Sequence, residues 1–239
     1  MKIISVVSLG LAAVLAFSAC GDAKEAKGVP LFLSPADYDP SRLLPPPPAD
    51  NSPENQMELA ELHAVQQSRT PADMMRAKHD GETENATIFE ETIGSGFTLA
   101  KFPATAKLMA EVQHDEKAAV ATAKTYFLRS RPWVVDPTLA ACSRSDKPKS
   151  SYPSGHTTMS FSMAVVLSSL MPAKSQALLA RAEDFAHSRI VCEQHWRHDI
   201  QAGQAYGTAI GIALLRNPAF RRDYEVAAAE LRAAHPAAE

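Results

Sequence analysis

The segment that decides the fold spans residues 104–129 and reads ATAKLMAEVQHDEKAAVATAKTYFLR. It is rich in alanine, lysine and glutamate, which are among the strongest helix formers. Because a proline pushes the residue before it out of the helical region, we expect one long helix that ends before Pro132. The composition of the whole chain also favours helices, since alanine is abundant and the 239 residues include only 10 glycines.

Further helices are predicted on both sides of this segment. Residues 52–54, Ser-Pro-Glu, supply an N-cap, a first-turn proline and a first-turn acid, and residues 70–73, Thr-Pro-Ala-Asp, repeat that signature. Downstream, helices are predicted over 154–170, 173–191, 198–215 and 217–233. The sequence shows no sustained strand alternation and no internal repeat. It therefore predicts an all-α, single-domain helical bundle over residues 53–239.

The N-terminal 52 residues have a different composition. Lys2 precedes an apolar run over 3–17, so residues 1–20 are predicted to be a secretory signal peptide, too short for a comfortable membrane span. The sequence Phe17-Ser18-Ala19-Cys20 resembles a bacterial lipobox, with phenylalanine where leucine is usual. Cys20 is therefore a lipidation candidate, and ordinary cleavage nearby is the alternative. Residues 21–52 are proline-rich and are expected to form a tether, or an ordered arm on the domain surface.

Charge and cysteine content restrict the environment of the protein. The formal net charge of −3 gives no electrostatic case for nucleic acid or an anionic membrane surface as a partner. The chain has three cysteines, and Cys142 and Cys192 remain once Cys20 is removed or lipidated. In the oxidising compartment of an exported protein two such cysteines tend to form a disulfide, and two separate buried thiols are the alternative.

Two segments have the character of an anion site. Lys124 and Arg131 are seven residues apart, about two helical turns, so we expect them on one helix face, where an anion between them would relieve their repulsion. Ser154, Gly155 and His156 lead into an apolar helix whose first N–H groups are free to bind an anion, with His156 placed to deliver a proton. The alternatives are a solvated basic helix end and an ordinary capped helix.

A third segment combines Arg189, His195 and Asp199. His195 and Asp199 are four residues apart, so on a helix the carboxylate would fix one imidazole nitrogen and leave the other as a nucleophile. Arg189 and His195 are expected to reach one ligand only if the helix breaks between them or the arginine reaches round. A surface ion pair is one alternative. The other is a metal site of His187, His195, His198 and Asp199, which no HExxH motif or cysteine pair supports.

The three segments together resemble the signature of the type 2 phosphatidic acid phosphatase and vanadium haloperoxidase superfamily, written K-x6-RP, PSGH and SR-x5-H-x3-D. This chain fills every position, with Lys124 and Arg131-Pro132, then residues 153–156, then Ser188-Arg189, His195 and Asp199. The flanking residues Tyr152, Ile190-Val191-Cys192 and Trp196 resemble the class A bacterial non-specific acid phosphatases. The resemblance runs from about residue 44 to 233 and implies the helical bundle of that superfamily.

The resemblance also implies a role for each residue. His195 would be the nucleophile that forms phosphohistidine, Asp199 would orient it, and His156 would be the general acid and then the base. The phosphate ligands would be Lys124, Arg131, Ser154, Gly155, His156 and Arg189. Members of this class are periplasmic or cell-envelope enzymes without a cofactor or metal, active on many small phosphomonoesters at acidic pH and inhibited by phosphate and vanadate. They are often homodimers, and a lipidated Cys20 would anchor this one to the outer membrane.

Other functions fit part of the pattern. A vanadium-dependent haloperoxidase uses an almost identical anion cradle, although such chains are usually much longer. A lipid or diphosphate phosphatase of the same superfamily is usually polytopic, and no apolar run of about 20 residues follows the signal peptide. A non-enzymatic anion-binding lipoprotein would need the three cations but not both histidines and the aspartate. The sequence therefore favours an exported acid phosphatase.

Overall fold

A computed structural model describes residues 28–234 of the chain. The predicted signal peptide and Cys20 lie outside this range. The described residues contain helices and no strand, which confirms the predicted all-α class. The α-helices are α1 (Pro40–Leu43), α2 (Pro53–Ser68), α3 (Pro71–Glu82), α4 (Glu90–Ile93), α5 (Pro103–Phe127), α6 (Pro132–Val135), α7 (Gly155–Leu170), α8 (Ser175–Val191), α9 (Arg197–Arg216) and α10 (Pro218–Ala234).

The long helices begin where the sequence places their capping residues. The Ser52 side chain accepts a hydrogen bond from the backbone N–H of Asn55 at 3.2 Å and starts α2. Thr70 and Asp73 form a reciprocal capping box at the start of α3. The sequence pattern does not predict the short helical turns at Ala86–Phe89, Glu90–Ile93, Leu99–Lys101 and Pro132–Val135.

Helix α7 is the central element, and α9 packs directly along it. Gly203, Gly207 and Gly211 lie one turn apart on α9 and face α7. A β-carbon at Gly203 would lie 2.8 Å from Cβ of Thr157, and one at Gly211 would lie 2.9 Å from Cβ of Val165. Because successive glycines meet successively later turns of α7, the two helices run parallel. Their N-termini therefore lie at the same end of the molecule.

The described part of the proline-rich segment lies against the helical domain as an ordered arm. The Asp115 carboxylate is fully buried and accepts hydrogen bonds from the backbone N–H groups of residues 31–33 at 2.5–3.0 Å. Further along, the Tyr152 hydroxyl donates to the carbonyl of Pro45 at 2.7 Å. Leu33 and Leu44 are buried in the main hydrophobic core. The domain core thus extends to residues N-terminal of position 53.

A disulfide joins Cys142 to Cys192, the pair expected from the sequence. It connects the irregular segment after α6 to the turn between α8 and α9. The Gln194 side-chain amide donates to the carbonyl of Ser143 at 2.5 Å in the same region. Closing a loop of 50 residues contributes about 4 kcal/mol to stability in the chain-entropy description. The turn that carries His195 is therefore held at both Cys192 and Gln194.

Candidate active site

A cavity of about 1070 Å³ opens at the end of the bundle where α7 and α9 both begin. Its wall also includes the C-terminal half of α5, the last turn of α8 and the segment 143–150. Six residues proposed from the sequence line this cavity, and they are Lys124, Arg131, Gly155, His156, Arg189 and His195. Three separated parts of the sequence are therefore brought to one place.

His195 is buried, and both of its ring nitrogens have partners. Nδ1 lies 3.2 Å from Oδ2 of Asp199, and Nε2 lies 2.9 Å from a guanidinium nitrogen of Arg131. An arginine only donates, so Nε2 must accept, and the ring proton lies on Nδ1, where it donates to the carboxylate. Burial, with the Arg131 charge, holds the pKa of His195 well below its usual value. The imidazole is therefore neutral, and the lone pair of Nε2 accepts a hydrogen bond from Arg131 in the cavity wall.

His195 and Asp199 contact each other as expected, but they do not lie together on a helix. Helix α9 begins at Arg197, so His195 precedes it and Asp199 occupies the third helical position. Asp199 reaches back to cap the helix by accepting from the backbone N–H of Trp196 at 2.9 Å. The two side chains meet through this capping turn and not through a helix face.

The prediction that Lys124 and Arg131 share a helix face is wrong. Leu128 takes a left-handed conformation, φ 51°, which ends α5 at Phe127 and places Arg131 in the following loop. Arg131 reaches the site from there and donates to the carbonyl of Gln194 at 2.8 Å. Lys124 donates to the carbonyl of Ser150, also at 2.8 Å. The two cations thus approach the cavity from different elements.

Arg189 reaches the site because the helix breaks, which is one of the two possibilities expected from the sequence. Helix α8 ends at Val191, and Glu193 takes a left-handed conformation, φ 53°, which turns the chain before α9. Gly81, at the end of α3, makes room for the Arg189 guanidinium, since a β-carbon at Gly81 would overlap it. The last turn of α3 is therefore part of the site, although no sequence motif points to it.

The start of α7 contributes backbone N–H groups, but the Ser154 side chain does not line the cavity. Ser154 is fully buried, and its hydroxyl accepts from the Thr157 hydroxyl at 3.0 Å and, more weakly, from the Thr157 N–H. In this structure the hydroxyl caps α7, and its role as a phosphate ligand stays a prediction. The N–H groups of Gly155 and His156 occupy the first helical positions, which have no partner within a helix.

His156 is oriented by the end of α3. Its Nε2 lies 3.0 Å from the carbonyl oxygen of Gly81, and its ring stacks on Phe185 with centroids 5.8 Å apart. Since a carbonyl only accepts, Nε2 carries a proton, and Nδ1 is the nitrogen that can exchange one with a ligand. Burial and the Arg189 charge lower the pKa of His156 to about 3.

Arg129 is a buried residue of the site that sequence reasoning missed. Its guanidinium donates to Oδ1 of Asp199 at 2.8 Å and to the Glu58 carboxylate at 2.5 Å. The Ser151 hydroxyl donates to the other Asp199 oxygen at 2.5 Å. Burial alone would raise the pKa of Asp199, but the bond from His195 and the Arg129 charge lower it to about 2. Asp199 is therefore ionised. No sequence signal distinguishes Arg129 from a surface arginine.

The cations of the cavity repel each other. Burial, followed by the Arg131 charge, lowers the pKa of Lys124 to about 7 and that of Arg189 to about 10. Burial also lowers the pKa of Arg131. An anion held among the three would reduce both the repulsion between the cations and the effect of burial on their charges, since it supplies opposite charge where water is limited. The arrangement is that of a site for a multiply charged anion.

The metal alternative has no supporting cluster in the part of the chain that is described. No group of three or more His, Cys, Asp or Glu residues between 28 and 234 is placed to hold a metal ion. Nδ1 of His198 lies 3.0 Å from one oxygen of the Glu58 carboxylate, and Arg129 contacts the other oxygen. In the same range, no helix is both long enough and apolar enough to cross a membrane.

Comparison with known proteins gives the family. The family described as the PAP2 superfamily matches residues 111–223, which include every predicted site residue from Lys124 to Asp199. An acid phosphatase of Zymomonas mobilis is 32% identical over 207 residues, 84% of this chain and 78% of that protein. A non-specific acid phosphatase of Salmonella typhi is 30% identical over 200 residues, 80% of each chain. The LpxE crystal structure from Aquifex aeolicus has a TM-score of 0.53 at 23% identity, covering 65% of this chain and 93% of that one.

The fold and the site together define a helical protein with a cationic cavity and a buried histidine–aspartate pair. The chain belongs to the PAP2 superfamily and, within it, to the class A acid phosphatase type. The likeness to LpxE bears on the fold alone.

Proposed function

We propose that the protein is an exported acid phosphatase that hydrolyses small phosphate monoesters through a phosphohistidine on His195. The observation that carries the proposal is the arrangement around this residue. Asp199 fixes one ring nitrogen, and the other lies in a cavity wall with three cationic side chains. Negative charge on the oxygens of a phosphoryl group in transfer is stabilised by such fixed cations. The names of the acid phosphatase relatives support the same reaction class.

In the first step, Nε2 of His195 forms a bond to phosphorus while the bond from phosphorus to the leaving oxygen breaks. Arg131, which donates to Nε2 in this structure, turns its N–H group to a phosphate oxygen and frees the lone pair. Protonated His156 gives its Nδ1 proton to the leaving oxygen, which departs as an alcohol. Asp199 stabilises the charge that develops on the His195 ring.

In the second step, water attacks phosphorus and the phosphorus–nitrogen bond breaks. His156, now neutral, takes a proton from the attacking water and is reset as an acid. Its low pKa comes from burial and the Arg189 charge, and a bound phosphate ester counters that charge. Substrate binding therefore raises the pKa of His156 and prepares it for proton transfer.

Turnover of para-nitrophenyl phosphate at acidic pH, with and without EDTA, tests the proposal. We expect equal rates in both, because every group used above belongs to the chain. Loss of turnover with EDTA would contradict a metal-independent reaction, and no turnover in either case would contradict phosphatase activity. Rapid quenching should trap an acid-labile, alkali-stable phosphoryl group on the wild type that His195→Ala lacks.

Export is a part of the proposal with its own support. Residues 1–20 have the composition of a signal peptide, and a disulfide between Cys142 and Cys192 suits an oxidising compartment. Mass measurement of the mature protein distinguishes lipidation at Cys20 from ordinary cleavage. An uncleaved N-terminus in the cell envelope fraction, or retention in the cytoplasm, would contradict export.

A further inference from the structure

One carboxyl group in the cavity wall has no part in the chemistry proposed above. Glu116 lies on α5, two turns before Lys124, with Val120 between them, and all three residues line the cavity. Eight residues of helix rise about 12 Å, so the backbone of Glu116 lies about that far along α5 from the backbone of Lys124, although the two side-chain charges still interact. A phosphate ester whose phosphate lies beside Lys124 could extend its leaving group along the cavity wall towards Glu116.

Glu116 is buried, with 2% of its surface exposed, and no group within residues 28–234 donates a hydrogen bond to its carboxyl. A buried carboxyl without a protein donor costs free energy unless water in the cavity or a ligand supplies the missing hydrogen bonds. A buried polar side chain that has no protein donor and lines a cavity is suited to bind a polar group of the ligand.

The charge state of Glu116 follows from its surroundings. Burial raises its pKa to about 8, although the charges of Lys117 and Lys124 act in the opposite direction, while Glu84 raises it further. The other charged or titratable groups of the cavity wall are His156, Arg189, Arg131, His195, Asp146, Lys147 and Lys149. At acidic pH the group is a neutral carboxylic acid, which both donates and accepts hydrogen bonds.

We infer that Glu116 binds the leaving group of the substrate. It would favour phosphomonoesters whose leaving group can place hydroxyl or amino groups at Glu116 while the phosphate lies among the cations, as in nucleoside 5′-monophosphates. This inference rests on the proposed function, because the phosphate must lie among Lys124, Arg131 and Arg189 for the leaving group to reach α5. Glu116 would then be a specificity-determining residue and would take no part in the bond-breaking step.

The test compares kcat/KM for a nucleoside 5′-monophosphate with that for phenyl phosphate, whose leaving group has no polar substituent. In Glu116→Ala the ratio of the two values should fall about fivefold at pH 5, since one hydrogen bond between neutral groups is lost. The rate with phenyl phosphate should stay within about twofold, because no charge is removed at this pH. The ratio does not depend on the fraction of folded enzyme.

Two further variants complete the test. Glu116→Gln should keep the preference, because an amide also donates and accepts, and Glu111→Gln, on the same helix but outside the cavity wall, should change neither rate. An unchanged ratio in Glu116→Ala, or its loss in Glu116→Gln, would overturn the inference. If the wild type hydrolyses neither ester, the proposed function itself fails, which is a different result.

Discussion

Among single residues, Asp199 determines the state of His195, and its own state depends on Arg129. The carboxylate accepts from His195 and Ser151 at one oxygen and from Arg129 at the other. Because the Arg129 charge helps to keep Asp199 ionised in a buried place, it also reduces the basicity that the carboxylate confers on His195. Arg129 is therefore placed to position His195 through Asp199, and it does not itself line the cavity.

We predict that Arg129→Met lowers kcat by up to ~100-fold, because Asp199 and the His195 ring lose their fixed geometry. Without the guanidinium the pKa of His195 should rise, so the acidic limb of the kcat/KM profile should move to higher pH. The variant also removes the cation beside buried Glu58, which keeps only its contacts with His198, and breaking such a buried ion pair costs about 3–5 kcal/mol. The double variant Arg129→Met with Glu58→Gln should recover part of this stability without recovering activity or the original pH profile. Recovery of all three would indicate a purely structural role.

His156 gives a second prediction at this scale. In His156→Ala the rate should fall by roughly 10²–10⁴-fold for esters with poor leaving groups, because a general acid contributes about that much. Esters of acidic phenols need little protonation and should be affected much less. The slope of log kcat/KM against leaving-group pKa measures this, and His195→Ala should be slow for every ester. Equal losses across the ester series in His156→Ala would contradict its role as the acid.

At the scale of helices, much of the fold could be predicted because the signals are local. Caps such as Ser52 and Thr70 act within one turn, so they mark helix starts directly in the sequence. The left-handed conformation of Leu128 has no such signal, since leucine rarely adopts it, and so the predicted end of α5 is too late. That error leads to the wrong shared face for Lys124 and Arg131.

The candidate site could be found from spacing, but its support could not. Arg129 and Gly81 come close to the predicted residues only through packing of α2 and α3 against the bundle. Their partners lie far away in sequence, as with Arg129 and Glu58, which are 71 residues apart. Neither composition nor periodicity carries information on such contacts. The capping contacts of Ser154 could not be predicted either, because a capping hydroxyl and a ligand hydroxyl look the same in a sequence.

The packing of α9 on α7 gives a prediction at the element scale. In Gly207→Ala the added β-carbon would overlap the carbonyl of Thr158, and the helices must separate. Overpacking of this kind costs about 1–3 kcal/mol, whereas at an exposed helix position the same change stabilises by up to ~1 kcal/mol. Activity should fall as well, because the same contact places the N-termini that carry Gly155 and Asp199. Chemical denaturation measures the loss of stability in Gly207→Ala.

Gln201→Ala is the matched control for this variant. Gln201 lies on α9 but is exposed, so alanine there should leave stability and activity close to those of the wild type. Wild-type stability in Gly207→Ala would show that the helix contact tolerates a methyl group. The proposed link between α7–α9 packing and site geometry would then be wrong.

For the whole molecule, the cavity couples stability to pH and to anions. The pKa of Lys124 is about 7 in the folded protein, whereas an unperturbed lysine, as in the unfolded chain, has a pKa of 10.5. Between these values the unfolded state binds more protons, so the contribution of Lys124 to stability falls as pH decreases from about 10.5 to about 7. The contribution of Glu116 to stability changes in the opposite direction. Because its pKa is raised, this contribution falls as pH increases from about 4.5 to about 8.

Inorganic phosphate should therefore stabilise the protein most at acidic pH. Below pH 7 Lys124 is charged and pairs with the anion, whereas at pH 9 the folded protein must first take up a proton there. A phosphate concentration of 100 times the Kd at pH 5 should add about 2.7 kcal/mol to the free energy of unfolding at pH 5. The same concentration should add less at pH 9. Thermal unfolding with phosphate or chloride at equal ionic strength measures the effect. Arg189→Ala is the control, because it weakens the site and leaves general salt effects intact. An equal shift in Arg189→Ala, or at both pH values, would mean that phosphate stabilises the protein without occupying the cationic cavity.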